Sequence, residues 1–204
     1  MSTAHATARL EAFCDAVFAI AMTLLVIDVR IASIDSISST AEFWGALQHE
    51  VPSMAAYVLS FVVILITWVN HHALMKLVHK TSAPFIYANG FLLLTVVSIP
   101  FPTSLLGATI WTDHATPAVV LYNGTLTLQA VGWILMTSMA MRNQLARDDK
   151  ATAALRELRR NGYFAFALYA LLGVAACWFP QIVAAITTLT WVFWLFLGVK
   201  LRHE

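Results

Sequence analysis

Along this chain apolar residues run in long blocks, and polar residues collect in the short segments between them. The blocks fall at about Phe13 to Val29, Pro52 to Val69, Ala83 to Leu106, Pro117 to Met141, Tyr163 to Phe179 and Pro180 to Val199. A hydrocarbon core of about 30 Å takes roughly 20 apolar residues in helical conformation. The pattern therefore predicts six membrane-spanning helices. Pro52 and Pro117 stand at helix starts, where a missing N–H is harmless, and Pro180 marks a tight turn between spans five and six. Pro100 and Pro102, in SIPFPTSLL, fall near the end of span three and should kink or loosen it. The longest connection, residues 28–50, reads as a Ser-rich loop followed by a short interfacial helix from Ala41 to Glu50 that carries Phe43 and Trp44.

Composition agrees with the pattern. Hydrophobic residues make up 60% of the chain and charged residues 11%, with a mean hydropathy of +0.75, far from the balance of a soluble domain. The expected fold class is an all-α integral membrane protein, residues 1–204 forming a single six-helix transmembrane domain. No basic segment or small-residue cleavage site precedes the first block, so no cleaved leader is expected. The short connections leave no room for a soluble nucleotide-binding or catalytic domain, and an enzyme is not expected. Cys14 and Cys177 both fall within predicted spans, without a C-x-x-C pair, and read as apolar packing residues.

Charge gives the orientation. Lys76 and Lys80 lie between spans two and three, Arg142, Arg147, Lys150, Arg156, Arg159 and Arg160 between four and five, and Lys200 and Arg202 after six. By the positive-inside rule these segments face the cytoplasm, and both termini do so with them. The segments on the other side carry Asp35, Glu42, Glu50 and Asp113, with Arg30 the one exception. The cluster RELRR at 156–160 has the composition of a lipid or nucleic-acid patch and equally that of a topology signal; the latter is the simpler reading.

Several polar residues sit where membrane depth makes them costly. Arg9, Glu11 and Asp15 open span one, Trp68, Asn70, His71 and His72 close span two, and Asn89 lies early in span three. Charges at such depth persist when they are paired or face a watery cavity, so the polar residues of span two are expected partners for those of span one. Beyond Asp15 the first span reads AVFAIAMTLLVID, with Ile20, Leu24 and Ile27 on one helical face and Thr23 as its polar side chain. Such a stripe can pack, face lipid or line a pore, and periodicity alone does not choose. The Thr23 hydroxyl can face an ion or bond back to the Ala19 carbonyl.

These residues also carry a resemblance. R-L-E-A-F-C-D at 9–15 resembles the R-x-x-x-F-S-D signature of the bacterial relatives of the endolysosomal potassium channel, a family without the usual P-loop filter. AVFAIAMTLLVI, W-V-N-H-H at 68–72 and N-G-F-L-L-L…I-P-F at 89–101 are similar to further elements of that family. One position departs: Cys14 stands where the family has serine, and a thiol is the weaker hydrogen-bonding group.

The resemblance implies a homotetramer in the plasma membrane in which four copies of helix one line a central pore. It implies potassium as the permeant ion among monovalent cations, and no cofactor, tightly bound metal or nucleic-acid partner. By match of position, Ile20 is the main hydrophobic constriction, with Leu24 and Ile27 further outward, and Thr23 is associated with ion preference. Arg9, Phe13, Cys14 and Asp15 belong to a supporting motif, with Trp68, Asn70, His71 and His72 as partners. Potassium is more weakly hydrated than sodium, so a narrow apolar ring that strips part of the hydration shell would favour it modestly, and could close by dewetting. Asp28, Asp35, Glu42 and Glu50 could concentrate cations outside or form an ordinary solvated surface.

Two other classes compete. A proton-coupled or cation secondary transporter would use Asp15 with His71 and His72 as a relay, but the chain lacks an internal repeat, and spans one and four lack the mid-helix break usual in such carriers. A metalloenzyme or haem protein would use His71, His72 and His79 as ligands, yet adjacent histidines diverge by about 100° on a helix and no H-E-x-x-H accompanies them.

Overall fold

The structure is a computed structural model that describes residues 3–28 and 37–200, with side chains from 7 to 27 and from 37 to 191. Among the described residues it is all-helical apart from one isolated backbone bridge. The helices are α1 (Thr3–Leu24, ending in a 3-10 turn at Leu25–Asp28), α2 (Thr40–His49), α3 (Val51–Met75), α4 (Ala83–Ser98), α5 (Pro100–Thr109), α6 (Ala115–Arg142), α7 (Asp149–Ala175) and α8 (Pro180–Lys200). Among the described residues four stretches are long and apolar enough to cross a membrane: Thr7–Ile27, Val51–Met75, Ala83–Thr109 and Ala115–Arg142.

The expected boundaries shift where local chemistry overrides hydropathy. α3 runs past Val69 through Asn70, His71 and His72 to Met75, because Leu74 and Met75 are core residues and hold the polar turn in helix. The expected third span is two helices that meet at Ile99. Pro100 has no N–H to continue the ladder, so the break falls where the prolines predict it. α7 starts at Asp149, well before Tyr163, because the Asp148 carboxylate accepts from Ala151 N–H at 2.7 Å and Leu155 is buried. α2 begins at a reciprocal cap: Ser39 Oγ accepts from Glu42 N–H at 3.2 Å, while the Glu42 carboxylate accepts from Ser38 N–H at 2.8 Å. Residues 29–36, with Arg30 and Asp35, lie outside the described residues.

α6 forms the hub and packs against α4, α5, α7 and α8, while α1 lies across α3 and α4. Two glycines allow the closest crossings. A Cβ on Gly107 would stand 2.6 Å from Ser53 Cα, and one on Gly132 would stand 3.0 Å from Leu92 Cα. Small residues at such crossings give the backbone proximity on which membrane helix packing depends. Side-chain hydrogen bonds stitch α3 to α5 and α6, and α6 to α8. Ser60 Oγ lies 2.6 Å from Thr103 Oγ1 and 3.0 Å from Tyr122 Oη, Gln129 Nε2 donates to Thr67 Oγ1 at 3.2 Å, and Thr187 Oγ1 donates to Asn123 Oδ1 at 3.0 Å. At one end the α3–α4 and α6–α7 connections clasp: His79 N–H donates to the Leu145 carbonyl at 3.0 Å and Arg147 N–H to that of Leu77 at 2.9 Å.

Candidate pore helix and its polar anchor

α1 is sharply two-faced. Cys14, Phe18, Ala21 and Leu25, spaced by four, three and four, are almost completely buried against α3 and α4. On the opposite side Phe13, Ile20, Leu24 and Ile27 are 60%, 55%, 41% and 49% exposed. The same helix is thus anchored along one stripe and leaves a second apolar stripe uncovered within the single chain. Thr23 lies beside that stripe, and its hydroxyl donates to the carbonyl of Ile20 at 2.9 Å, not to that of Ala19.

Three polar links tie the first turns of this helix to its neighbours. Trp68 Nε1 donates to Asp15 Oδ1 at 2.8 Å. His72 Nδ1 lies 2.8 Å from Glu11 Oε1, and the His72 ring stacks on the Trp68 indole with centroids 6.2 Å apart. Innermost is a chain of three buried side chains, in which Asn89 Nδ2 donates to Cys14 Sγ at 3.1 Å and His71 Nε2 lies 2.8 Å from Asn89 Oδ1. A carbonyl oxygen only accepts, so His71 carries its proton on Nε2. Phe18 tilts over the His71 ring at 5.3 Å between centroids.

The site residues named from sequence therefore divide. Cys14, Asp15, Trp68, His71 and His72 come together at the α1–α3–α4 junction. Arg9 and Asn70 are exposed and take no part in these links, and Phe13 points away from the junction. Asn89 and Glu11 hold positions in the junction, although the sequence marks them only as costly polar residues. The hydropathy pattern does not mark the deeper hydroxyl and amide links, although their spacing carries a signal. Ser60 and Thr67 on α3 are seven apart, as are Tyr122 and Gln129 on α6, and the two pairs meet rung for rung.

The profile of the family described as "Endosomal/lysosomal potassium channel TMEM175" matches residues 9–100, which hold α1, the polar junction and the α4–α5 break. A relative from Chryseobacterium sp. (strain P1-3), named a potassium channel, is 30% identical over 189 residues, covering 92% of this chain and 91% of its own. The chain belongs to the TMEM175 family. A second relative, from Chamaesiphon minutus and also named a potassium channel, is 41% identical over 125 residues, or 61% of each chain. The match to that relative thus spans about three fifths of its length. The crystal structure of a TMEM175 homolog from Chamaesiphon minutus, described as a lysosomal potassium-selective channel, superposes with a TM-score of 0.83 at 28% identity over 94% of this chain and 97% of its own. Membership makes this a membrane protein built on the TMEM175 fold, with the R-x-x-x-F-x-D motif at the start of α1.

Proposed function

We propose that the chain is one subunit of a homotetrameric, modestly potassium-selective channel of the plasma membrane. α1 from each subunit lines a central pore, and both termini are cytoplasmic. In this reading the membrane is crossed six times, by α1, α3, the α4–α5 pair, α6, α7 and α8, with α2 at the outer surface. The observation that carries it is the uncovered stripe of Phe13, Ile20, Leu24 and Ile27 on a helix whose other face is locked in the core. Four such stripes facing one axis would bury against one another and leave a narrow apolar conduit. The relatives named as potassium channels supply the ion. Ile20 is the constriction, Leu24 and Ile27 continue it outward, and Thr23 tunes ion preference; no P-loop filter is used, and discrimination rests on partial dehydration in the apolar ring.

The carrier reading would need Asp15 and His71 free to exchange protons. Each already has a bonded partner in Trp68 or Asn89, which favours anchorage of the pore helix over relay chemistry. Planar-bilayer recording of purified protein under bi-ionic potassium and sodium gradients tests the proposal. Unitary passive currents with a reversal potential on the potassium side are expected, and Ile20→Asn should raise the leak current. Saturating, proton-coupled flux without unitary events would overturn it.

A further inference from the structure

RELRR at 156–160 plays no part in the proposed pore, and the helix register gives it a position worth explaining. α7 packs along α6 so closely that a Cβ on Gly162 would stand 3.0 Å from Ile134 Cγ1. Gly162 and Ile134 are therefore level along the bundle. At the other end of these helices, Trp111 and Trp178 are strongly exposed, as tryptophans at a membrane–water interface commonly are. A hydrocarbon core of about 30 Å takes roughly 20 residues at 1.5 Å each, and counting from Ala115 brings α6 to the neighbourhood of Ile134 and Leu135. The second interface thus falls level with Gly162, just where charge gives way to aromatics on α7.

The chemistry at that level is that of a headgroup site. Arg156, Arg160 and Tyr163 lie at i, i+4 and i+7 on one face, with Arg159 beside them, and Tyr163 and Phe164 are exposed on the membrane side. Arg156 and Arg160 are exposed and Arg159 half-buried. Arg160 has one weak partner, Glu157 at 3.6 Å, and Arg156 and Arg159 have no ion pair among the described residues. Guanidinium groups present paired donors that match phosphate oxygens, and an interfacial tyrosine sits with its ring in the acyl region and its hydroxyl among headgroups.

We propose that this face of α7 binds the phosphate of an anionic phospholipid in the cytoplasmic leaflet. The three arginines hold the headgroup, and Tyr163 and Phe164 lie against the upper acyl chain. The proposal uses the crossing of α7 but not the conduction of ions, so its outcome is separable from that of the channel reading. It goes beyond a topology signal, because a topology signal needs positive charge anywhere in the segment, whereas a headgroup site needs it on this face at this level.

Native mass spectrometry of the detergent-purified assembly, titrated with phosphatidylglycerol or phosphatidylcholine, tests it. Wild-type protein should retain phosphatidylglycerol preferentially, and R156Q/R159Q/R160Q should lose that preference by about fivefold for each arginine removed. K76Q/K80Q, which removes cations from the same end of the molecule, should retain it. R156K/R159K/R160K, which keeps the charge but not the forked geometry, should fall between. Should the glutamine triple not assemble, R156Q alone should weaken retention by about fivefold. Equal retention of the two lipids, an unchanged R156Q or glutamine triple, an equal loss in K76Q/K80Q, or displacement of the lipid by excess inorganic phosphate would each overturn the proposal.

Discussion

Trp68 Nε1 donates to Asp15 Oδ1 across 2.8 Å and so pins the first turns of α1 to α3, just below the point where the exposed apolar stripe continues at Ile20. The carboxylate is only partly buried, but its indole donor is the one side-chain partner it has among the described residues. Trp68→Phe keeps an aromatic ring, smaller than the indole, and deletes the donor. It is expected to destabilise the fold by about 1–3 kcal/mol, the range for a polar group left without its partner. Asp15→Ala combined with Trp68→Phe should cost less than the sum of the singles, since each single change alone removes the bond. Detergent-titration unfolding of the four proteins measures the coupling; strict additivity would show that the bond carries no energy.

Cys14 is fully buried at the α1–α3–α4 junction, and the structure gives the thiol a definite role. It accepts from Asn89, which in turn holds His71. Cys14→Ser offers a better acceptor of smaller size and should assemble normally. Cys14→Val fills the space without accepting, leaving the buried Asn89 amide unpaired at a cost of about 1–3 kcal/mol. Assembly yield on size exclusion and the unfolding midpoint distinguish the two. Equal behaviour of the serine and valine variants would make Cys14 a packing residue.

How much of the molecule is legible in its sequence follows from which interactions leave a periodic trace. The membrane class and the helix break at Pro100 follow from local pattern, since hydropathy blocks and a missing N–H act within one helix, whereas the four–three spacing of α1 marks an apolar stripe without saying which face is buried. The junction is legible only as a set of costly residues. Which of Asn70, His71 and His72 turns inward depends on how α3 rotates against α1 and α4, and that is a property of packing. Arg9 and Asn70, grouped with the junction by sequence motif, are exposed in the isolated chain. The early start of α7 is hidden because hydropathy scores its charged first turns as loop, while the Asp148 cap and buried Leu155 make them helix.

Gly107 and Gly124 offer a matched pair for the packing argument. At Gly107 a methyl would meet Ser53 backbone at 2.6 Å, whereas at Gly124 nothing lies within 4 Å. Gly107→Ala should therefore destabilise by about 1–3 kcal/mol through displacement of α5 from α3. Gly124→Ala, in mid-helix, should stabilise by up to about 1 kcal/mol through helix propensity alone. Thermal unfolding in the same detergent compares them, and a tolerated Gly107→Ala would mean that the two helices can separate without loss.

The cap of α2 titrates. Hydrogen bonds from Ser38 N–H and then from the Ser38 hydroxyl hold the Glu42 carboxyl below its ordinary value of 4.5. A group whose folded pKa is depressed stabilises the fold fully above its unfolded pKa and loses that contribution as pH falls through the folded one. α2 should therefore be firm at neutral pH and loosen only below about 4.5. A spin label at Gln48 should gain mobility in that range, and Glu42→Gln should remove the acid step. A step that persists in the glutamine variant would belong to another group.

Thr23 is the hardest residue to assign, because its hydroxyl proton is already committed to the Ile20 carbonyl at 2.9 Å. That bond does not settle its role. A hydroxyl has two acceptor lone pairs besides its donor, and fixing the proton toward the helix backbone turns the oxygen outward, toward the space beside the exposed stripe. If four such oxygens face a central axis, they offer a partly dehydrated cation its nearest side-chain ligands between the Ile20 and Leu24 rings. Thr23→Val keeps the branched shape and deletes the oxygen, so it should move the bi-ionic reversal potential toward sodium. Thr23→Ser keeps the oxygen and should hold the potential near wild type. A reversal potential that stays fixed in Thr23→Val while conductance changes slightly would leave selectivity to the width of the apolar ring, with Thr23 serving only to bond its own helix.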